Sequence, residues 1–162
     1  MAQTHAWDGI VHDMRDEFRD LATIAHVDAA RRAWLALWLT CAALPLVFGL
    51  DKFAGVLTDT WERYLTTGVN DIVPGTAADA MLWVGAIEII LAALILAVPR
   101  IGGDLFGLWM VLVAINLFAL GGVHELAVGC IAIAIMAFAM AHMSKSYHHH
   151  ESGARIETPM EP

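Results

Sequence analysis

The residues whose types could do chemistry are few: a Lys beside an Asp at Asp51 and Lys52, a carboxylate at Glu88, an amide at Asn116 and an imidazole at His124. Glu88 is the most informative, because it stands alone in the apolar run WVGAIEIILAA of residues 83–93. An ionised carboxylate in hydrocarbon costs at least a few kcal/mol, so Glu88 must be protonated, paired or open to water. Two chemistries suit such a group. One is a polar clamp, in which Glu88 bonds Asn116 or a down-reaching Lys52 and fixes helix register. The other is a small polar pocket for a quinone head group, a proton or a small acid. A metal is not expected, since Glu88, His124 and Asp51 share no ligand spacing.

The elements that must position these residues span a membrane. The 162-residue chain is 59% hydrophobic, with mean hydropathy +0.63, more apolar than a soluble domain of this length. Four apolar runs, 33–50, 80–98, 105–122 and 126–143, each approach the roughly 20 residues that cross a bilayer. They are joined by a long loop, 51–79, and by two tight connections, Pro99 to Asp104 and Val123 to Glu125, which force neighbouring spans to be antiparallel. The expected fold is an all-α integral membrane four-helix bundle. Counted at 1.5 Å per residue, Glu88 lies roughly 12 Å and Asn116 roughly 9 Å below the same face, in one polar layer that Asp51, Lys52 and His124 approach from above.

Arg31, Arg32, Arg100 and Lys145 fall on one side of the bundle, against Lys52 and Arg63 on the other. The positive-inside rule then places both termini in the cytoplasm and the long loop outside, in a bacterial-type inner membrane. Two amphipathic pieces flank the bundle. In segment 1–32, Trp7, Ile10, Val11, Met14, Phe18, Leu21 and Ala25 recur at helical spacing opposite a largely acidic face. An N-terminal interfacial helix is expected there. Its acidic face is unlike that of helices attracted to anionic lipid, so the apolar face either docks on a partner subunit or packs on membrane lipid and its own bundle. A second stripe, Phe53, Val56, Leu57, Trp61 and Leu65, reads as a short interfacial helix on the outer face. Residues 144–162 read as a disordered cytoplasmic tail.

Cys41 and Cys130 lie in apolar runs without metal or disulfide spacing, and read as core side chains. His124 and His142 are 18 residues apart on one span, about 27 Å, and cannot share a haem iron. Pro45 should kink the first span beside the polar layer. The glycines at 85, 102, 103, 107, 121 and 122 permit close helix approach, within a tight monomer or against neighbouring subunits. The net charge of −8 and the lack of a basic patch argue against nucleic acid.

The sequence Phe48-Gly-Leu-Asp-Lys-Phe53, then Trp61 and Tyr64-Leu65, then Val84-Gly-Ala-Ile-Glu88, Asn116 and the final span from Leu126 to Met143 resembles the DoxX-like group of small four-helix membrane proteins. The family's Arg-Asp pair near the last span has no counterpart, Gly129-Cys130 standing there instead. The resemblance implies association with membrane redox systems, including thiosulfate and quinone chemistry, and matches Lys52 and Glu88. With no nucleophile-base set or cofactor loop, the expected role is a non-catalytic accessory subunit of a larger membrane redox or energy-converting complex. The alternative is a quinone-interacting oxidoreductase subunit, with Glu88 and Lys52 on the head group and Trp83 or Trp109 along the tail path.

Overall fold

The computed structural model describes Met14, Arg15, Phe18, Arg19 and residues 29–70, 72–73 and 75–154, with only the backbone described for Asn70 and for 145–154. It is all-α, and the described residues contain no strand. Four long helices carry the architecture: α1 Ala29–Ala54, α2 Ala77–Ala97, α3 Pro99–Leu120 and α4 His124–Ala154. Each includes a stretch long and apolar enough to cross a membrane, in α4 the part His124–Ser144. Most of the expected N-terminal interfacial helix lies outside the described residues. One of its expected apolar positions, Phe18, sets its ring edge-on against Trp38 of α1 at 5.6 Å, so at that position the segment packs on its own bundle.

The helices overrun the apolar runs, because hydrogen-bond propagation does not stop where hydropathy does. Arg31 and Arg32 at one end of α1, and Asp51 and Lys52 at the other, are all helical, and the helix passes through a fully buried Pro45. The stretch Pro99 to Asp104 is the first turn of α3 rather than a loop. Pro suits the first helical position, where its missing N–H is not needed, leaving Val98 as the only link between α2 and α3. At the other end of the chain, residues 144–154 of the expected disordered tail are helical, and 155–162 lie outside the described residues. Residues 144–152 contain no Gly or Pro to stop the ladder begun in the span.

The outer loop also departs from expectation. The amphipathic stripe does not form one flat helix: Phe53 belongs to α1, Gly55 turns the chain at φ 61°, and only Trp61–Tyr64 coils, as a single 3-10 turn. A further turn, Thr67–Asn70, follows. The entry to α2 is a capping box in which Thr76 Oγ1 accepts from the Asp79 backbone N–H and Asp79 Oδ2 accepts from that of Thr76.

α1 packs chiefly on α2 and α3 chiefly on α4, with α2 against α3 closing the bundle. Trp34, Leu35, Trp38 and Cys41 of α1 meet Leu91 and Ile95 of α2, Phe106 and Met110 of α3, and Ala134, Ala137 and Met140 of α4 in one core. Cys41 is buried in it and Cys130 packs at its edge, both as free thiols. Close approach relies on glycine at defined places. A Cβ on Gly102 would run into the backbone of Leu94 and Ile95, and one on Gly103 would meet Met140 and Ala141 of α4. Gly49 and Gly85 face each other across α1 and α2, where a Cβ on Gly49 would come 2.9 Å from the Gly85 carbonyl oxygen. These glycines are therefore used inside the monomer.

Two tryptophans tie α1 to its neighbours. The indole N–H of Trp38 donates to the Ile95 carbonyl at 2.9 Å and that of Trp34 to the Met140 carbonyl at 3.2 Å, the two rings stacked 6.0 Å apart. Ile95 needs such a donor, because the residue four positions on is Pro99, which has no N–H to give. Trp38→Phe keeps an aromatic ring, smaller than the indole, and removes the donor. It is expected to lower unfolding free energy by about 1–3 kcal/mol, the cost of an orphaned buried carbonyl. Equilibrium unfolding in detergent against wild type reads that value, and an unchanged midpoint would show the carbonyl is satisfied otherwise.

Candidate functional site

The glycine crossing of α1 and α2 decides what Glu88 meets. With Gly49 and Gly85 in near-backbone contact, the residues three positions on, Lys52 and Glu88, are drawn together. Lys52 folds back along α1, its Nζ near the Phe48 carbonyl at 3.4 Å, and closes on Glu88 Oε2 at 2.7 Å. The side chains are 5% and 9% exposed, so this is a buried ion pair. Each charge answers the desolvation of the other. Of the two partners that the sequence offers to Glu88, the structure selects Lys52 and not Asn116.

Asp51, next along α1, is turned the other way and organises the loop. Its Oδ1 accepts from the backbone N–H groups of Val56 at 2.8 Å and Leu57 at 2.7 Å, and its Oδ2 from the Trp61 indole at 2.8 Å. Successive N–H groups aimed at one carboxylate make a nest, here filled by the chain's own side chain. The arrangement brings Trp61 over Lys52, whose Nζ lies 4.3 Å from the ring centroid in a cation–π contact. Phe48 and Tyr64 flank Trp61, each at 6.1 Å. Asp51, Trp61, Lys52 and Glu88 thus form one continuous series from loop to bundle interior.

Asp51→Ala removes the acceptor for the Val56 and Leu57 N–H groups and for Trp61 together. Faster protease cleavage within residues 55–64 is the expected result, with the bundle fragments intact. Limited proteolysis with mass-spectrometric mapping reads it, and wild-type cleavage kinetics would refute the anchoring role.

Asn116 and His124, expected in the same layer, are elsewhere. The Asn116 side chain clasps the loop: Oδ1 accepts from the Thr66 N–H at 3.1 Å and hydroxyl at 2.9 Å, and Nδ2 donates to the Tyr64 carbonyl at 2.7 Å. That bond set ties α3 to the loop and leaves Glu88 to other partners. His124 opens α4 with its ring 5.9 Å from that of Phe118, at the turn made by Gly121 and Gly122, both at φ 75°. The five candidate residues therefore divide among an ion pair, a loop anchor, a loop clasp and an exposed turn.

Glu88 has two neighbours that the polar residues alone do not reveal. The Trp109 indole of α3 faces its carboxylate, and Cys130 of α4 is within electrostatic reach of it. The Trp109 N–H is buried, with the Glu88 carboxylate as an acceptor in reach but not in a well-formed hydrogen bond. A tryptophan deep in an apolar run is the signal that could have marked it, since its N–H needs a partner once buried. All four helices thus contribute to the surroundings of Glu88. No group of three or more His, Cys, Asp or Glu among the described residues is placed to hold a metal ion.

No family model, curated protein or solved structure matches the chain.

Proposed function

We propose that this chain is a non-catalytic accessory subunit of a larger membrane-embedded assembly of redox or energy-converting type. The observation that supports this reading is the internal use of the polar groups. Lys52 and Glu88 neutralise each other, Asp51 is filled by loop N–H groups and an indole, and Asn116 by Tyr64 and Thr66. Such groups hold helices and loop in register instead of attacking a substrate. The redox setting rests on the DoxX-like resemblance around Lys52 and Glu88. In this reading the chain lies in a bacterial-type inner membrane with both termini cytoplasmic, following Arg31, Arg32, Arg100 and Lys145. The acidic amphipathic N-terminal segment is then the surface offered to partner subunits.

Purification from native membranes in mild detergent, with mass spectrometry of what co-purifies, tests the proposal. Stoichiometric partner chains are the expected outcome, reduced when the N-terminal segment is deleted. A lone monomer from every mild extraction would reject it.

One observation favours a second reading, that of a quinone-interacting subunit: the Trp109 indole beside the buried pair of Glu88 and Lys52. A head group reaching that pair would meet polar groups at the end of an apolar path. Quinone binding indifferent to both Glu88→Gln and Lys52→Ala would remove this reading.

A further inference from the structure

The corner that follows α1 is apolar on its outside. Residues 53–57, Phe-Ala-Gly-Val-Leu, carry no charged or hydrogen-bonding side chain, and the first charge beyond them is Asp59. Val56 is 82% exposed, Leu57 61% and Phe53 55%. The other two members of the amphipathic stripe, Trp61 and Leu65, are half-buried, Trp61 over Lys52. Adjacent large apolar side chains standing out from a protein mark a surface that something else covers.

The corner continues a surface that α1 already turns outward. Leu46, Leu50 and Phe53 recur at four- and three-residue steps along this apolar helix and all are exposed, so Val56 and Leu57 extend a stripe that a spanning helix presents to lipid. Its depth agrees. The Phe53 ring and the Lys52 Cβ both lie against Gly85 of α2, each 3.0 Å from where a Cβ on that glycine would stand. Gly85 is five positions inside the apolar run that begins at Ala80, roughly 8 Å along the helix axis. α1 therefore ends below the level at which α2 leaves the bundle. The backbone is also prepared for such a setting, because a turn in a water-poor layer must have its N–H groups answered by the protein. The Gly55 N–H donates to the Asp51 carbonyl at 2.7 Å, those of Val56 and Leu57 to Asp51 Oδ1, and that of Thr58 to Oδ2 at 3.4 Å. One residue answers four successive donors.

We propose that Phe53, Val56 and Leu57 insert into the bilayer on the loop side, at the boundary of head groups and acyl chains, so that the partner of this surface is lipid and not a second protein. Asp51 makes the immersion possible, since its carboxylate and carbonyl take the place of water on the N–H groups of the corner. The aqueous surface of the loop then begins at Asp59, and the Lys52–Glu88 pair lies beneath the head groups. The assignment is independent of both readings under Proposed function, because it holds or fails for the chain alone in lipid.

The test uses the full chain in phosphatidylcholine vesicles, with Cys41→Ala and Cys130→Ala as background and a nitroxide attached at Val56→Cys, Leu57→Cys, Asp59→Cys or Glu62→Cys, one at a time. Power-saturation EPR compares collisions with oxygen, which concentrates among acyl chains, and with a neutral nickel chelate, which stays in water. The expected result is an oxygen-to-nickel ratio severalfold higher at Val56 and Leu57 than at Asp59 and Glu62. The same label at all four positions controls for its own affinity for lipid, and helicity of each labelled protein is compared with wild type. A ratio at Val56 and Leu57 as low as that at Glu62 overturns the proposal, because the corner then stands in water. Low collision rates with both reagents overturn it as well, because the corner is then covered by protein, whether its own chain or a second copy.

Discussion

Lys52→Met leaves Glu88 buried without its cation, and is expected to lower unfolding free energy by about 3–5 kcal/mol, the usual cost of removing one partner from a buried pair. At 5% and 9% side-chain exposure neither group has enough water to screen the loss. The damage should be repaired by removing the other charge too. Lys52→Met with Glu88→Leu replaces the pair by apolar side chains of similar volume, and should return to within about 1 kcal/mol of wild type. Unfolding in detergent of wild type, both single variants and the double variant completes the thermodynamic cycle. A double variant as unstable as the worse single one would mean that the two residues do not act as a pair.

Gly102→Ala is expected to damage the bundle by a different route, steric rather than electrostatic. The added methyl collides with the backbone of Leu94 and Ile95, which cannot swing aside as a flexible side chain would. Overpacking in a tight core commonly costs about 1–3 kcal/mol, and a clash against main chain belongs at or above the top of that range. The α2–α3 hairpin must open, pulling Ile95 away from Trp38 as it does so. Gly129→Ala supplies the contrast: nothing lies within 4 Å of its added Cβ, and alanine is the better helix former. Thermal unfolding should show Gly102→Ala losing the folded bundle while Gly129→Ala is unchanged or gains slightly. A benign Gly102→Ala would refute the backbone contact between α2 and α3.

Much of the bundle is legible from residue order alone. Apolar length marks the four spans, because only a helix can carry its backbone through hydrocarbon without help. The pairing of Glu88 with Lys52 is also within reach of sequence reasoning, since a carboxylate in that setting demands a cation or a donor and Lys52 is the cation at the right end. Asn116 shows where such reasoning stops. Counting rise along a helix gives a residue's depth, but not the direction in which it points, so two residues at one level need not meet. Asn116 points to Tyr64 and Thr66 in the loop, whose course is set by Asp51 and by the left-handed turn at Gly55. Those are contacts between residues far apart in the chain, and no periodicity records them. Helix ends are less legible for a different reason. Hydropathy registers the solvent, whereas a helix runs on through polar residues that can hold its hydrogen bonds, as α4 does beyond Ser144.

The bonds of Trp38 and Trp34 also impose an order of events on the growing chain. The acceptor for Trp38 is 57 residues further on and that for Trp34 is 106 residues further on, in the last helix. As synthesis runs from the N-terminus, α1 is made before the other three long helices, yet the carbonyls that its two indoles bond arrive only with α2 and then α4. A nascent chain stopped after α3 therefore holds the Trp38 acceptor but not yet the Trp34 acceptor. Of these four helices, the earliest made is tied in by the last.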